Sequence, residues 1–149
     1  MRRVNGFYYP YYTRAQQDPS LIENISKAIN GEYSAVACYE KLAKMSPDEE
    51  TRKRILEIRE DEMKHYNTFS QIYQSLTGKP ATPELSEECP EDYQEALSAS
   101  LKDEQETVDF YLDIADSTQN PYIRRVFKRA AADEQNHAVW FLYFYTVSK

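Results

Sequence analysis

A chain of 149 residues has length for one domain with a single proper core. Its 41% hydrophobic and 29% charged residues describe a soluble globular protein, and only three glycines favour helices over a turn-rich β architecture. A net charge of −7 argues against a nucleic-acid partner, and no apolar run approaches the ~20 residues that span a bilayer.

The start, MRRVNGFYYPYY, forms an aromatic tail, residues 1–18, ahead of the first helical pattern. Its two arginines are not followed by an apolar segment, so it is not a secretory signal, and a cytoplasmic location is expected. Such a tail docks on a partner or packs across its own domain. Cys38 and Cys89 form no CxxC pair, which excludes a zinc ribbon, a rubredoxin-type iron site and a thioredoxin-type motif. Cys38 is expected to be an ordinary packed thiol and Cys89 to lie in a loop.

Prolines punctuate the rest of the chain. Asp18-Pro19, Ser46-Pro47, Cys89-Pro90 and Asn120-Pro121 each set proline where a first helical position belongs, and Asp18, Ser46 and Asn120 are good N-caps. Ser46 with Glu49 also reads as a capping box, and Gly78 before Pro80 is a stop signal. The spacing predicts helices over 19–45, 47–76, 90–117 and 121–147. Each carries an apolar stripe in steps of three and four: Ile22, Ile25, Ile29, Val36, Tyr39 and Ala43 in the first, for example, and Ile123, Phe127, Ala130, Phe141 and Phe144 in the last.

The stripes are interrupted at matching depth. The interruptions are Glu32 in the first helix, Glu62 and His65 in the second, Glu104 in the third, and Glu134 and His137 in the fourth. They obey a repeat: an offset of 72 residues carries Glu32 to Glu104, Tyr39 to Tyr111, Asp61 to Asp133, Glu62 to Glu134, His65 to His137 and Phe69 to Phe141. Two helical hairpins of common descent account for this. They are joined by TGKPATPELSEEC, a linker of roughly 13 residues that can span at most ~45 Å, enough to run beside a helix of ~42 Å. Short, long and short connections make an all-α, antiparallel four-helix bundle with one long crossover between helices 2 and 3.

Four carboxylates cannot be buried in a dry core without compensation, and no lysine or arginine shares their seam positions. Two divalent cations would cancel the four charges, and neutral imidazoles would complete the coordination. Mixed oxygen and nitrogen ligands suit iron or manganese, with zinc an alternative. One glutamate from each of two helices plus Glu-x-x-His from the other two is a known di-metal carboxylate arrangement.

On Glu32, Glu62-Met63-Lys64-His65, Glu104 and Glu134-Gln135-Asn136-His137, residues 19 to 147 resemble the ferritin-like di-iron proteins of the rubrerythrin and bacterioferritin group. The resemblance implies two Fe ions bridged by Glu62 and Glu134, one also held by Glu32 and His65 and the other by Glu104 and His137. It implies that Asp61 and Asp133 each orient the histidine of the opposite Glu-x-x-His helix, the alternative being plain surface charges. Tyr39 and Tyr111 are expected to be core residues first, although tyrosines near the metals of this group hydrogen-bond a ligand or carry a radical. Trp140 is expected to pack.

The implied activity is that of an oxidoreductase, a peroxidase or ferroxidase reacting the di-iron centre with hydrogen peroxide or dioxygen under oxidative stress. The alternative is a non-catalytic iron-binding, storage or assembly protein. The resemblance implies a homodimer, and an external electron donor is expected because helix 4 is not followed by a rubredoxin domain. One departure stands out: rubrerythrins carry an extra glutamate three residues after the helix-3 glutamate, where this chain has Thr107, and Glu106 points elsewhere.

Overall fold

A computed structural model describes residues 18–149; residues 1–17, which hold the aromatic tail, lie outside the described residues. Four helices succeed one another: α1, Pro19–Met45; α2, Glu49–Thr77; α3, Tyr93–Ser117; and α4, Pro121–Val147. Two start where expected. The Asp18 carboxylate accepts from the amides of Ser20 and Leu21 at 3.1 Å, and the Asn120 side chain does the same for Tyr122 and Ile123. Gly78 ends α2 in the left-handed region, at φ 75°.

The other two starts differ from expectation because a later residue caps better. Ser46 closes α1 instead, its hydroxyl donating to the Leu42 carbonyl, and Asp48 caps α2 by accepting from Thr51 N at 2.8 Å. The capping box does not form, and Glu49 pairs with Arg52. Asp92 likewise caps α3 through Glu95 N, so that helix starts three residues after the expected proline. In both cases an aspartate directly before the helix outcompetes a serine or cysteine held extended ahead of its proline.

The helices pack as two hairpins, α1 on α2 and α3 on α4, with α1 also meeting α3 and α2 meeting α4. Buried apolar residues form two clusters at opposite ends. One gathers Ile25, Ile29, Phe69, Tyr111 and Phe127, with Phe69 stacked on Phe127 at 4.4 Å. The other gathers Tyr39, Leu42, Ile55, Leu97, Phe141 and Phe144. Ile22, Leu101 and Val108 sit half-buried at the edges of these clusters, and Val36 is also only half-buried. Trp140 packs on Phe144 and carries the Arg54 guanidinium 4.3 Å over its ring.

The crossover does not hang free. Glu84 N donates to Asn30 Oδ1 and Ser86 N to Ser34 Oγ, both at 2.9 Å, and Cys89 is joined to Cys38 by a disulfide. Residues 30, 34 and 38 are one helical turn apart, so the crossover climbs α1 in α1's own direction. This corrects the expectation for Cys38, which is half-buried and bonded rather than a packed free thiol.

Gly78→Ala places an L side chain in the left-handed region with no steric contact to worsen or relieve it. A loss of about 1 kcal/mol is expected in urea unfolding, from backbone strain alone.

Candidate metal centre

Between the two apolar clusters lies one polar layer. Glu32, Glu62, Glu104, Glu134 and His137 are at most 3% exposed and His65 is 8% exposed. Each sits mid-helix on an inward face, where the apolar stripe would otherwise continue. Their donor atoms fall into two groups, Glu32, Glu62, His65 and Glu134, and Glu62, Glu104, Glu134 and His137, each within 4.8 Å of one another. Glu62 and Glu134 belong to both.

Both imidazoles turn Nδ1 inward. His65 Nδ1 lies 3.2 Å from Glu32, 3.3 Å from Glu62 and 3.4 Å from Glu134. His137 Nδ1 lies 3.4 Å from Glu62 and 3.6 Å from both Glu104 and Glu134. Outward, His65 Nε2 meets Asp133 Oδ2 and His137 Nε2 meets Asp61 Oδ2, each at 2.9 Å. Each of the two aspartates therefore holds the histidine of the facing α2 or α4 helix. Arg129 in turn donates to Asp133 at 3.0 Å.

The tyrosines combine the two readings. Their rings are buried in the apolar clusters, Tyr39 5.0 Å from Phe141 and Tyr111 5.3 Å from Phe69, while their hydroxyls leave the clusters for the polar layer. Tyr39 Oη donates to Glu104 Oε2 at 2.7 Å, and Tyr111 Oη donates to Glu32 Oε2 at 2.5 Å. Thr107, where the extra glutamate would stand, turns its hydroxyl back onto the Asp103 carbonyl at 2.7 Å, and Glu106 is exposed.

Five atoms of this layer have no hydrogen-bond partner: Glu32 Oε1, Glu62 Oε1, Glu104 Oε1, Glu134 Oε2 and His137 Nδ1. Among the described residues the only other buried side-chain polar atom in this state is Ser70 Oγ. Buried polar atoms are nearly always satisfied, so five orphans converging on one place mark a ligand set. Two divalent cations fit it in charge, in donor chemistry and in the sharing of two carboxylates.

With protons alone to neutralise the layer, its titration is distorted. Burial pushes the carboxyls of Glu62 and Glu134 well above the usual range, and the neighbouring glutamates push further. Burial raises Glu32 as well, with His65 and Tyr111 pulling part of the way back. For the histidines burial works downward but loses: the hydrogen bond to Asp133 leads the contacts that raise His65, and Glu104 and Glu62 lift His137 to about 9.

One signal was missed in the sequence. Asp103, beside Glu104, lies against the crossover, where burial and the Glu87 carboxylate push it to about 8. Grooves open on two faces. One, of about 550 Å³ on the α2/α4 face, reaches His65 between Asp61, Lys64, Arg129 and Asp133. The other lies along the crossover.

The sequence profile of the rubrerythrin family matches residues 23–94 and 95–148. The chain belongs to the rubrerythrin family. The two matched stretches begin at 23 and 95, the offset of the internal repeat. A protein of Bacillus subtilis (strain 168) named uncharacterized protein YhjR is 56% identical over 137 residues, covering 92% of this chain and 94% of that one. Among solved structures, a hypothetical protein from Pyrococcus furiosus superimposes with a TM-score of 0.74 at 22% identity, over 91% of this chain and 94% of its own. The bacterioferritin of Desulfovibrio desulfuricans, whose structure is described by its diiron site in different catalytic states, gives 0.76 at 20% identity over 91% and 82%. These structural likenesses establish a ferritin-like bundle for this rubrerythrin-family chain.

The layer makes stability depend on pH. Unfolded, Glu32, Glu62 and Glu134 titrate near 4.5; folded, they titrate higher, so ionising them costs the metal-free fold stability as pH rises above 4.5. His137, raised when folded, contributes stability that is complete below 6.5 and lost as pH climbs through about 9. Both effects share one sign. The metal-free chain is expected to lose thermal stability steadily over this range, whereas the zinc-loaded chain, whose ligands release protons on binding, gains stability relative to it. Melting curves of both forms across that range check this.

Proposed function

We propose that this chain is a di-iron oxidoreductase that reduces hydrogen peroxide or dioxygen, as a peroxidase or ferroxidase. The observation that carries the reading is the pair of four-residue groups sharing Glu62 and Glu134, with its converging unsatisfied atoms. Iron ions held there supply electrons and Lewis acidity to an O–O bond.

The chain's own residues do the rest. Asp61 and Asp133 hold each imidazole by Nε2 with Nδ1 turned to the layer, so that a metal displacing the Nδ1 proton would find that nitrogen already aimed at it. Tyr39 pins Glu104 Oε2 and leaves Oε1 facing His137 Nδ1, while Tyr111 holds Glu32 by Oε2, the oxygen that also lies against His65 Nδ1. Burial holds both phenols far above their ordinary range, so at neutral pH they stay protonated and act as donors. For Tyr39 the Glu104 charge adds to the effect of burial, and for Tyr111 the Glu32 charge does. The apolar clusters above and below close the layer off along the bundle axis, leaving the groove beside His65 as an approach from the side.

Elemental analysis of iron-reconstituted protein is expected to give about two irons per chain, one for each ligand group. Glu62→Ala removes a member of both groups and is expected to lower the content by more than Glu32→Ala, which touches one. Equal iron retention in both variants would sink the shared-ligand reading. Function is tested separately. Ferrous protein given peroxide should develop a ferric absorption band that bleaches on reduction and returns with fresh peroxide, whereas steady accumulation of many irons without cycling favours storage.

A further inference from the structure

The disulfide between Cys38 and Cys89 has surroundings that a purely structural cross-link does not need. Both cysteines line a surface groove of about 630 Å³ along the crossover, wide enough for another molecule's thiol to approach. On the inner side, a pocket of about 60 Å³ touches Cys38, Tyr39 and Asp103. That exceeds the ~10–15 Å³ that a single water requires by the same measure, so water has room beside Cys38 and Tyr39.

Cys38 also adjoins the metal layer covalently. The next residue is Tyr39, whose ring is buried and whose hydroxyl donates to Glu104 Oε2 at 2.7 Å. From sulfur to ligand oxygen the path is one peptide unit, one aromatic side chain and one short hydrogen bond. These two are the chain's only cysteines.

We propose that Cys38 and Cys89 are a redox-active pair that passes reducing equivalents from an external thiol to the buried metal centre. This rests on the reading of that centre as redox-active iron. As the S–S bond forms, the two thiols release two electrons and two protons. Hydrogen peroxide takes up both as its O–O bond breaks, and leaves as two waters. An external dithiol entering the outer groove then attacks the disulfide, is itself oxidised to a disulfide, and restores both thiols. In compartments that keep thiols reduced, accessible disulfides of this kind are redox-cycling rather than permanent.

The test counts thiols rather than turnover. Protein is reduced with dithiothreitol, desalted without oxygen, loaded with ferrous iron and titrated with hydrogen peroxide. Free thiols are measured with a chromogenic disulfide, and the cross-linked peptide by mass. With two electrons from the iron pair and two from the dithiol, about two equivalents of peroxide should be consumed, with both thiols lost. The double variant Cys38→Ser/Cys89→Ser should take up about one equivalent by the same two-electron stoichiometry. The zinc-loaded chain, which has no redox metal, should keep its thiols over the same interval.

The thiol count on the unaltered chain decides the matter even if the double variant does not fold. A ferric band that develops while both thiols persist overturns the proposal and leaves a structural staple. Equal thiol loss in the zinc-loaded chain overturns it too, because peroxide is then attacking sulfur directly. No ferric band at all sinks the redox reading of the centre, and the relay with it.

Discussion

The costliest thing this chain does is to hold four carboxylates in one buried layer. Ionised and uncompensated, each costs several kcal/mol, a large share of what a domain of this size has in net stability. Much of the rest of the structure bears on that cost. Long, well-capped helices put the layer far from their frayed ends, and an apolar cluster on each side keeps the helices in register around it. Without metal, protons must do the neutralising, which is why Glu62, Glu134 and both imidazoles are pushed upward.

The second constraint is that neither hairpin completes the layer alone. Tyr39 of the first hairpin serves Glu104 of the second, and Tyr111 of the second serves Glu32 of the first. The aspartate–histidine pairs cross in the same way. As the α1 numbers rise from 32 to 39, their partners on α3 fall from 111 to 104, so the two helices run antiparallel. The repeat in sequence thus becomes an approximate two-fold axis in space, with Glu62 and Glu134 straddling it. A change in one hairpin is felt by the ligands of the other, which gives a physical reason for both copies to keep the same residue types.

This is also why so much was legible in the sequence. A glutamate that interrupts an apolar stripe is conspicuous, and an offset of 72 residues exposes the pattern twice. The bundle and its crossover come from stripe spacing and loop length. What was not legible depends on where irregular chain runs. The Cys38–Cys89 bond requires the crossover to climb α1, and that path is set by hydrogen bonds from Glu84 and Ser86 to α1 side chains, which no periodicity reveals. The starts of α2 and α3 were misplaced because a proline signal and an aspartate cap competed within three residues. The tyrosine hydroxyls needed the inter-hairpin register, which a stripe within one helix does not carry.

The departures from two-fold symmetry say where the halves differ in use. Phe110 occupies the position that the repeat pairs with Cys38, so only the Tyr39–Glu104 side has sulfur beside it. On the other face the histidines are unequal, His65 at 8% exposure beside an open groove and His137 at 1%. The ligand set is symmetric, but its approaches are not. If the cysteine pair feeds the centre, reducing equivalents arrive through α1 and the crossover, while the groove beside His65 lies on the α2/α4 face. A reductant and a small oxidant would then meet the same centre without competing for one opening, and the asymmetry would serve a cycle in which each must reach it in turn.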